Sequence, residues 1–190
     1  MSEGGILYVI GASGSGKDSL MRYARERLAA DPSVLFAHRY ITRPVELNGE
    51  NHVALSEIEF EARLAKGLFA MHWNSHGLRY GIGCELHQWL AKGLTVVVNG
   101  SRAYLDEASR NYPEFRPVLV EVSPEVLRLR LRSRGRESES NIEARLTRAC
   151  EFKDVRHPKL LRLSNDAPLS ETGPAFVALI RAQSPVTTCA

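Results

Sequence analysis

Ile6 to Leu20, ILYVIGASGSGKDSL, passes from an apolar run through a glycine-rich loop into a helical pattern. Ile6 to Ile10 is apolar and β-branched at both ends, and it reads as a buried strand. Gly11, Ala12, Ser13, Gly14, Ser15, Gly16 and Lys17 follow, with the Gly-x4-Gly-Lys spacing of a phosphate-binding P-loop. Glycines let such a loop curl so that its N–H groups converge on phosphate oxygens. The next helix adds the positive end of its dipole, and Lys17 adds a mobile point charge. The strand before and the helix after supply the context the motif needs. One position departs. After the lysine a Ser or Thr normally offers its hydroxyl to magnesium; here stands Asp18, whose carboxylate can also hold the metal, with Ser19 one step further round the helix.

The chain is 190 residues long, enough for one domain with a sizeable core, and 44% hydrophobic with 25% charged residues, as in an ordinary globular protein. A net charge of +3 suits a small anionic substrate and is too weak to argue for nucleic acid. Cys84, Cys150 and Cys189 have no metal or redox spacing, which points to reduced thiols in a cytoplasm. There is no signal peptide pattern and no apolar run long enough to span a bilayer.

Downstream, strand and helix patterns alternate. Helices are expected over 19–30, from the Ser56 cap with its Glu59 partner to Gly67, over 84–92, 101–110, 124 onward, 140–152 and 175–182. Strands are expected over 34–42, 52–55, 68–73, 94–98, 118–122 and 160–163, with 75–83 a turn-rich loop. Leu94 to Val98 is almost wholly apolar, the mark of a strand covered on both faces of a parallel sheet. The alternation predicts a three-layer α/β fold of the P-loop nucleoside-triphosphate-hydrolase type, with a mainly parallel sheet.

A basic segment follows Ser123-Pro124-Glu125. Arginines at 128, 130, 132, 134 and 136 fall on alternate residues and so cannot share one helix face; Gly135 interrupts them, and Arg145 and Arg148 return on the next helix. After a P-loop this suggests a lid whose guanidinium groups neutralise a transferring phosphoryl group.

These residues together resemble guanylate kinases: the strand–P-loop opening, Thr42-Arg43-Pro44, Tyr80-Gly81 and the RLRSRG run with Arg145. The resemblance implies one P-loop kinase domain with a substrate segment inserted near 39–81 and a lid near 135–148. It implies that Arg43 and Tyr80 hold the acceptor phosphate, that Arg134 and Arg145 are lid arginines, and that Asn165-Asp166 lies near the adenine. Departures concern the guanine. Where guanylate kinases have a Glu before Tyr-Gly, the alignment places His72; their Asp after the central strand becomes Asn99; a tyrosine becomes His52; and a second arginine gives way to Val45 and Glu46. Guanine N–H donors left without acceptors are rejected by up to about four orders of magnitude.

GKDSL, RYITRP, HGLRYGI, VVVNGSR and RSRGRES also resemble the ribose 1,5-bisphosphate phosphokinases of phosphonate degradation, Asp18 included. That resemblance covers at least residues 1–152. It implies transfer of the γ-phosphoryl of ATP to ribose 1,5-bisphosphate, giving 5-phosphoribosyl 1-diphosphate, with Mg2+ at Asp18. Lys17, Arg134 and Arg145 are then expected to be catalytic, and residues 11 to 19 to bind the nucleotide. Arg39, Arg43, His52, His72, Tyr80, Asn99 and Arg102 are expected at the acceptor, with Asn74 and His76 as further candidates. The expectation is a cytoplasmic monomer or homodimer acting on small molecules, with no nucleic acid or membrane partner. The alternative is a nucleoside monophosphate (guanylate) kinase. A non-catalytic peptide-binding module of this fold is disfavoured, because both the P-loop and the lid pattern are intact.

Overall fold

Five of the strands exist to carry one loop. The computed structural model describes residues 4–45, 52–133, 138–150 and 154–183. In chain order its elements are β1 (Ile6–Ile10), α1 (Lys17–Arg27), β2 (Val34–Phe36), β3 (Arg39–Ile41), β4 (His52–Ala54), α2 (Glu57–Ala65), β5 (Phe69–Ser75) and β6 (Leu78–Gly83). Then come α3 (Glu85–Ala91), β7 (Thr95–Asn99), α4 (Leu105–Asn111), β8 (Phe115–Glu121), α5 (Pro124–Ser133), α6 (Glu139–Cys150), β9 (Leu161–Ser164) and α7 (Leu169–Gln183). The main sheet has the order β2-β7-β1-β8-β9 and is parallel throughout. Every residue of β1 and β7 is buried, which is why both read as unbroken apolar runs.

Alternate residues of β1 enter two different cores. Leu7 and Val9 pack with Leu20, Ala24, Phe176 and Ile180 of α1 and α7. Ile6, Tyr8 and Ile10 pack toward α3, α4 and the second sheet. The helices α1 and α7 approach closely because Gly173 has no side chain; a Cβ there would run into the Tyr23 ring. Tyr8 is fully buried and fully satisfied, its hydroxyl accepting from the Ser101 N–H at 2.8 Å and donating to the Ser101 carbonyl at 3.1 Å. Burial raises its pKa, so it stays a neutral phenol.

The second sheet, β4-β3-β6-β5, is mixed, with β3 parallel to β4 and antiparallel to β6. Its core-side face carries Ile41, Tyr80 and Trp73 in one cross-strand row. On the other side α2 covers it, with Phe60 stacked on Phe69 at 4.6 Å. The Ser56 cap forms as the sequence predicts, accepting from the Glu59 N–H at 3.1 Å, and Gly67 ends the helix at φ +66.

Several boundaries differ from expectation. The 34–42 stretch is two strands in two sheets, β2 in the main one and β3 in the second; periodicity sees their shared apolar content but not the change of sheet. The region 75–83 holds β6. Its turn is only His76 (φ 52) and Gly77 (φ 73), the left-handed pair of a tight hairpin, so the turn signal masked the strand after it. The expected helix over 101–110 begins as a short 3-10 turn, Arg102–Tyr104. The last helix starts at Leu169 rather than after Pro174, which lies inside it; proline is a boundary signal in sequence that the packed helix overrides. Gly135 and Arg136 lie outside the described residues, as does Glu46. Among the described residues no helix is long and apolar enough to cross a membrane.

Candidate active site

The loop between β1 and α1 sits at the carboxyl end of the central strand, where ligands bind in open parallel sheets. Gly14 and Gly16 take φ of +92 and +88, and Gly16 caps α1. A Cβ at Gly14 would stand 2.9 Å from Leu127 of α5, and one at Gly16 would collide with the Asn165 amide. The curl is therefore clamped from behind as well as permitted by glycine. Asn165 is buried, and its side chain donates to the Ser15 carbonyl at 2.7 Å. Arg130 in turn donates to the Asn165 carbonyl at 2.7 Å. Neither support was legible as such in the sequence, where Arg130 was one arginine in a row and Asn165 was expected near a base. Its neighbour Asp166 accepts from the Ser123 N–H at 2.7 Å, at the start of α5.

Lys17 folds back over the loop, its ammonium 2.6 Å from the Gly11 carbonyl and 3.2 Å from that of Ala12. Ala12 is buried and Ser13 exposed, and Arg145 of α6 reaches across to donate to the Ser13 hydroxyl at 3.0 Å. Ser15 Oγ and Arg130 Nη1 are buried with no hydrogen-bond partner in the structure. Two buried polar atoms at a glycine-curled loop, with Lys17 folded over it and Arg145 at Ser13, fit a bound anion well. Asp18 projects from the first turn of α1, and the Asn99 amide donates to its Oδ1 at 3.0 Å. Ser19 is the next residue on that turn. Among the described residues no group of three or more His, Cys, Asp or Glu could hold a metal unaided, so a cation at Asp18 would share its coordination with phosphate oxygens.

The alternate arginines separate as their spacing demands. Arg128 and Arg132 pair with Glu143 and Glu139, the latter at 2.8 Å, and tie α5 to α6. Arg130 points the other way, into the loop support. Arg134 lies outside the described residues.

On the second sheet, parity along the strands sorts the residues expected at the acceptor. Arg39 pairs with His52 and Ile82; Ile41 pairs with Tyr80, and Tyr80 with Trp73. These residues share the core-side face. Arg39 stands over the Tyr80 ring at 5.1 Å, and Trp73 stacks on Tyr80 at 5.6 Å. Tyr104 adjoins Trp73 at 5.7 Å; burial, aided by Glu107, pushes its phenol up to about 12, so it remains a neutral donor. His52 is buried, and its Nε2 lies 3.0 Å from the Arg43 carbonyl, which makes that nitrogen the donor. His52 thus holds the backbone of Arg43. Thr42 pins the other side, its hydroxyl accepting from the Arg79 N–H at 3.0 Å.

His72 departs from its expected place. It pairs with Gly81, is exposed, and lies on the face opposite Tyr80; Met71 is the buried residue on the Tyr80 face. A one-residue shift in alignment changes the face of a strand residue, and the pattern alone could not fix it. Asn74 shares the His72 face, and His76 is a turn residue. Asn99 turns to Asp18 rather than to the second sheet. Arg102 follows the end of β7, half-buried.

A ribose 1,5-bisphosphate phosphokinase PhnN of Thiobacillus denitrificans is 65% identical to this chain over 182 residues, 95% of this chain and 94% of that one. The chain belongs to the ribose 1,5-bisphosphate phosphokinase family. A second family member, from Desulfomicrobium baculatum, is 56% identical over 175 residues, covering 92% and 93% of the two chains. Membership makes the chain a phosphotransferase. No protein-family model matches it. The fold agrees with a guanylate kinase from Anaplasma phagocytophilum, with a TM-score of 0.69 at 17% identity over 98% of this chain and 89% of that one. So the family keeps the guanylate-kinase architecture, as the sequence predicts.

Proposed function

We propose that this chain transfers the γ-phosphoryl group of ATP to the 1-phosphate of ribose 1,5-bisphosphate, forming 5-phosphoribosyl 1-diphosphate within phosphonate catabolism. The observation that carries the choice of acceptor is the composition of the second sheet. Its four strands contain no acidic residue, while Arg39 and Tyr80 meet on its core-side face and Arg43 follows the end of β3. A purine with N–H donors needs carboxylates or other fixed acceptors there. A sugar with an anion at each end needs cations and neutral hydrogen-bonding groups.

The chemistry asks little of a base. An oxygen of the acceptor phosphate is ionised at neutral pH and attacks the γ-phosphorus; the bond from that phosphorus to the β–γ bridging oxygen breaks, and ADP leaves with the electron pair. No proton is in flight, so alignment and charge neutralisation carry the rate. The loop N–H groups of residues 11 to 16 orient the nucleotide phosphates. Lys17 offsets charge on the β- and γ-phosphates, and Arg145, already beside Ser13, does so from the lid side. Arg134 is assigned to the lid by sequence. Asp18 is the residue to hold magnesium, which supplies charge neutralisation on the phosphates when bound. The 39–83 sheet serves as the acceptor segment and α6 as part of the lid.

Phosphorus NMR of ATP with ribose 1,5-bisphosphate, and in parallel with GMP, tests the reading. A new diphosphate pair attached to the sugar, with no GDP from GMP, is the expected result; rapid GDP formation with no sugar product overturns it.

A further inference from the structure

We infer that Asp18 carries the carboxylate that P-loop enzymes normally place at the neighbouring strand end, which makes Asn99, now at that strand end, a positioning residue for the metal-facing carboxylate rather than an acceptor contact. The inference rests on the reading of the loop as a magnesium–ATP site.

In ordinary P-loop enzymes the metal is held by the Ser or Thr after the lysine and by an aspartate from a neighbouring strand end. Here the residue after Lys17 is the acid, and the strand end carries the amide. Asn99 closes β7, the strand hydrogen-bonded beside β1, with Val9 as its register partner. It is 4% exposed, and its Nδ2 donates to Asp18 Oδ1 at 3.0 Å. The two side chains therefore share one site from opposite walls, one on the helix and one on the strand. Whichever carries the carboxylate, a single negative charge is delivered to nearly the same place. The amide then fixes the orientation of that carboxylate, as outer groups commonly do for metal ligands.

This arrangement has a sharp consequence for substitution. Asn99→Asp removes the amide that holds Asp18 and sets a second carboxylate about 3 Å from it, so the acid loses its donor and gains a repelling neighbour. Asp18→Ser leaves no carboxylate at all. The double change Asp18→Ser/Asn99→Asp restores the ordinary order, one acid and one hydroxyl. The singles should be impaired and the double should recover, the reverse of additive damage. A plain helix-capping role for Asp18 gives another pattern, in which the strand-end change neither hurts alone nor rescues.

The test reads metal binding directly. Mn2+ is titrated into the enzyme–ADP complex and followed by the loss of its free EPR signal, with ATP affinity in EDTA as the control for an intact loop. We expect each single change to weaken Mn2+ by about tenfold or more, and the double to recover most of that loss. We also expect Asp18→Ser to bind metal-free ATP at least as tightly as the native chain, because a repelling charge is gone. The inference is overturned if Asn99→Asp and Asn99→Ala leave Mn2+ affinity unchanged while raising KM for ribose 1,5-bisphosphate, or if the double is as weak as the two losses combined. If the native chain binds no ATP with or without metal, the loop reading itself falls, and that result is distinct from both.

Discussion

The phosphate loop and the second sheet, here proposed as the acceptor face, are assembled differently. The loop is made from consecutive residues, 11 to 17, whose geometry follows from local glycines and is then clamped by Asn165 and Arg130. The acceptor face is made from single residues on separate strands, brought together only by register: Arg39 from β3, Tyr80 from β6, Trp73 from β5. Local assembly fixes glycine where the backbone turns left-handed or packs tightly, as at Gly14 and Gly16; register assembly leaves the residue types open as long as the face is kept. That difference explains how the family can keep the guanylate-kinase fold and the P-loop while changing what the second sheet receives.

The largest expected effect lies on the loop side. Lys17→Ala should cut kcat by about a thousandfold, the upper range for losing one charge-stabilising donor at a transferring group. Its melting temperature should stay near the native value, since the ammonium bonds to the Gly11 and Ala12 loop carbonyls in a half-exposed position. Steady-state kinetics with a thermal melt checks this; retained turnover would mean the loop does not carry the chemistry.

The acceptor side should fail in a different parameter. Arg43→Ala should raise KM for ribose 1,5-bisphosphate by roughly ten- to a hundredfold, the worth of one charge-assisted hydrogen bond, with KM for ATP little changed. An equal rise in both would erase the separation between the two regions.

Within the acceptor segment the histidines give a finer contrast. His52→Ala removes the donor to the Arg43 carbonyl and should cost about fivefold to tenfold in kcat/KM for the acceptor, as a lost buried hydrogen bond does. His72→Ala, on the opposite exposed face, should be neutral. Kinetics on the two variants side by side decide it, and the reverse ranking would show that β5 is out by one residue.

How much of this was legible beforehand follows the same division. The P-loop, the buried β1 and β7, the Ser56 cap and a mainly parallel core could be read because each depends on neighbours in sequence. The assignment of Arg43 and Tyr80 to one acceptor site comes from resemblance; what the structure brings together on that face is Arg39 and Tyr80. The role of His52 as a backbone brace, the face of His72, the Asp18–Asn99 bond across 81 positions and the Asn165 clamp across 150 were hidden, since each depends on register or packing between distant segments. Arg130 was hidden for another reason: a run of arginines gives no sign of which one turns inward until α6 takes its neighbours.

The smallest effect concerns the core on which both regions lean. His157 is placed by two bonds, its Nε2 at 2.7 Å from the Ser109 hydroxyl and its Nδ1 accepting from the Lys159 N–H at 3.1 Å, and its ring meets the Phe115 edge at 5.8 Å. Protonation at Nδ1 would remove that acceptor. Burial first, and then repulsion from Lys159, lower its pKa from the usual 6.5, against a weaker pull from Asp106. The folded state thus binds the proton less readily than the unfolded chain, so stability rises with pH across this window. The contribution is fully present above about 6.5 and is lost as pH falls through the lowered folded value. Thermal melts between pH 5 and pH 8 should show a shallow decline on the acid side that His157→Gln flattens. Because neither the loop nor the acceptor face contains His157, KM for ATP and KM for the acceptor should keep their ratio through that decline. A change in one of them alone would mean that acid acts within one of the two regions, and would tell which one yields first.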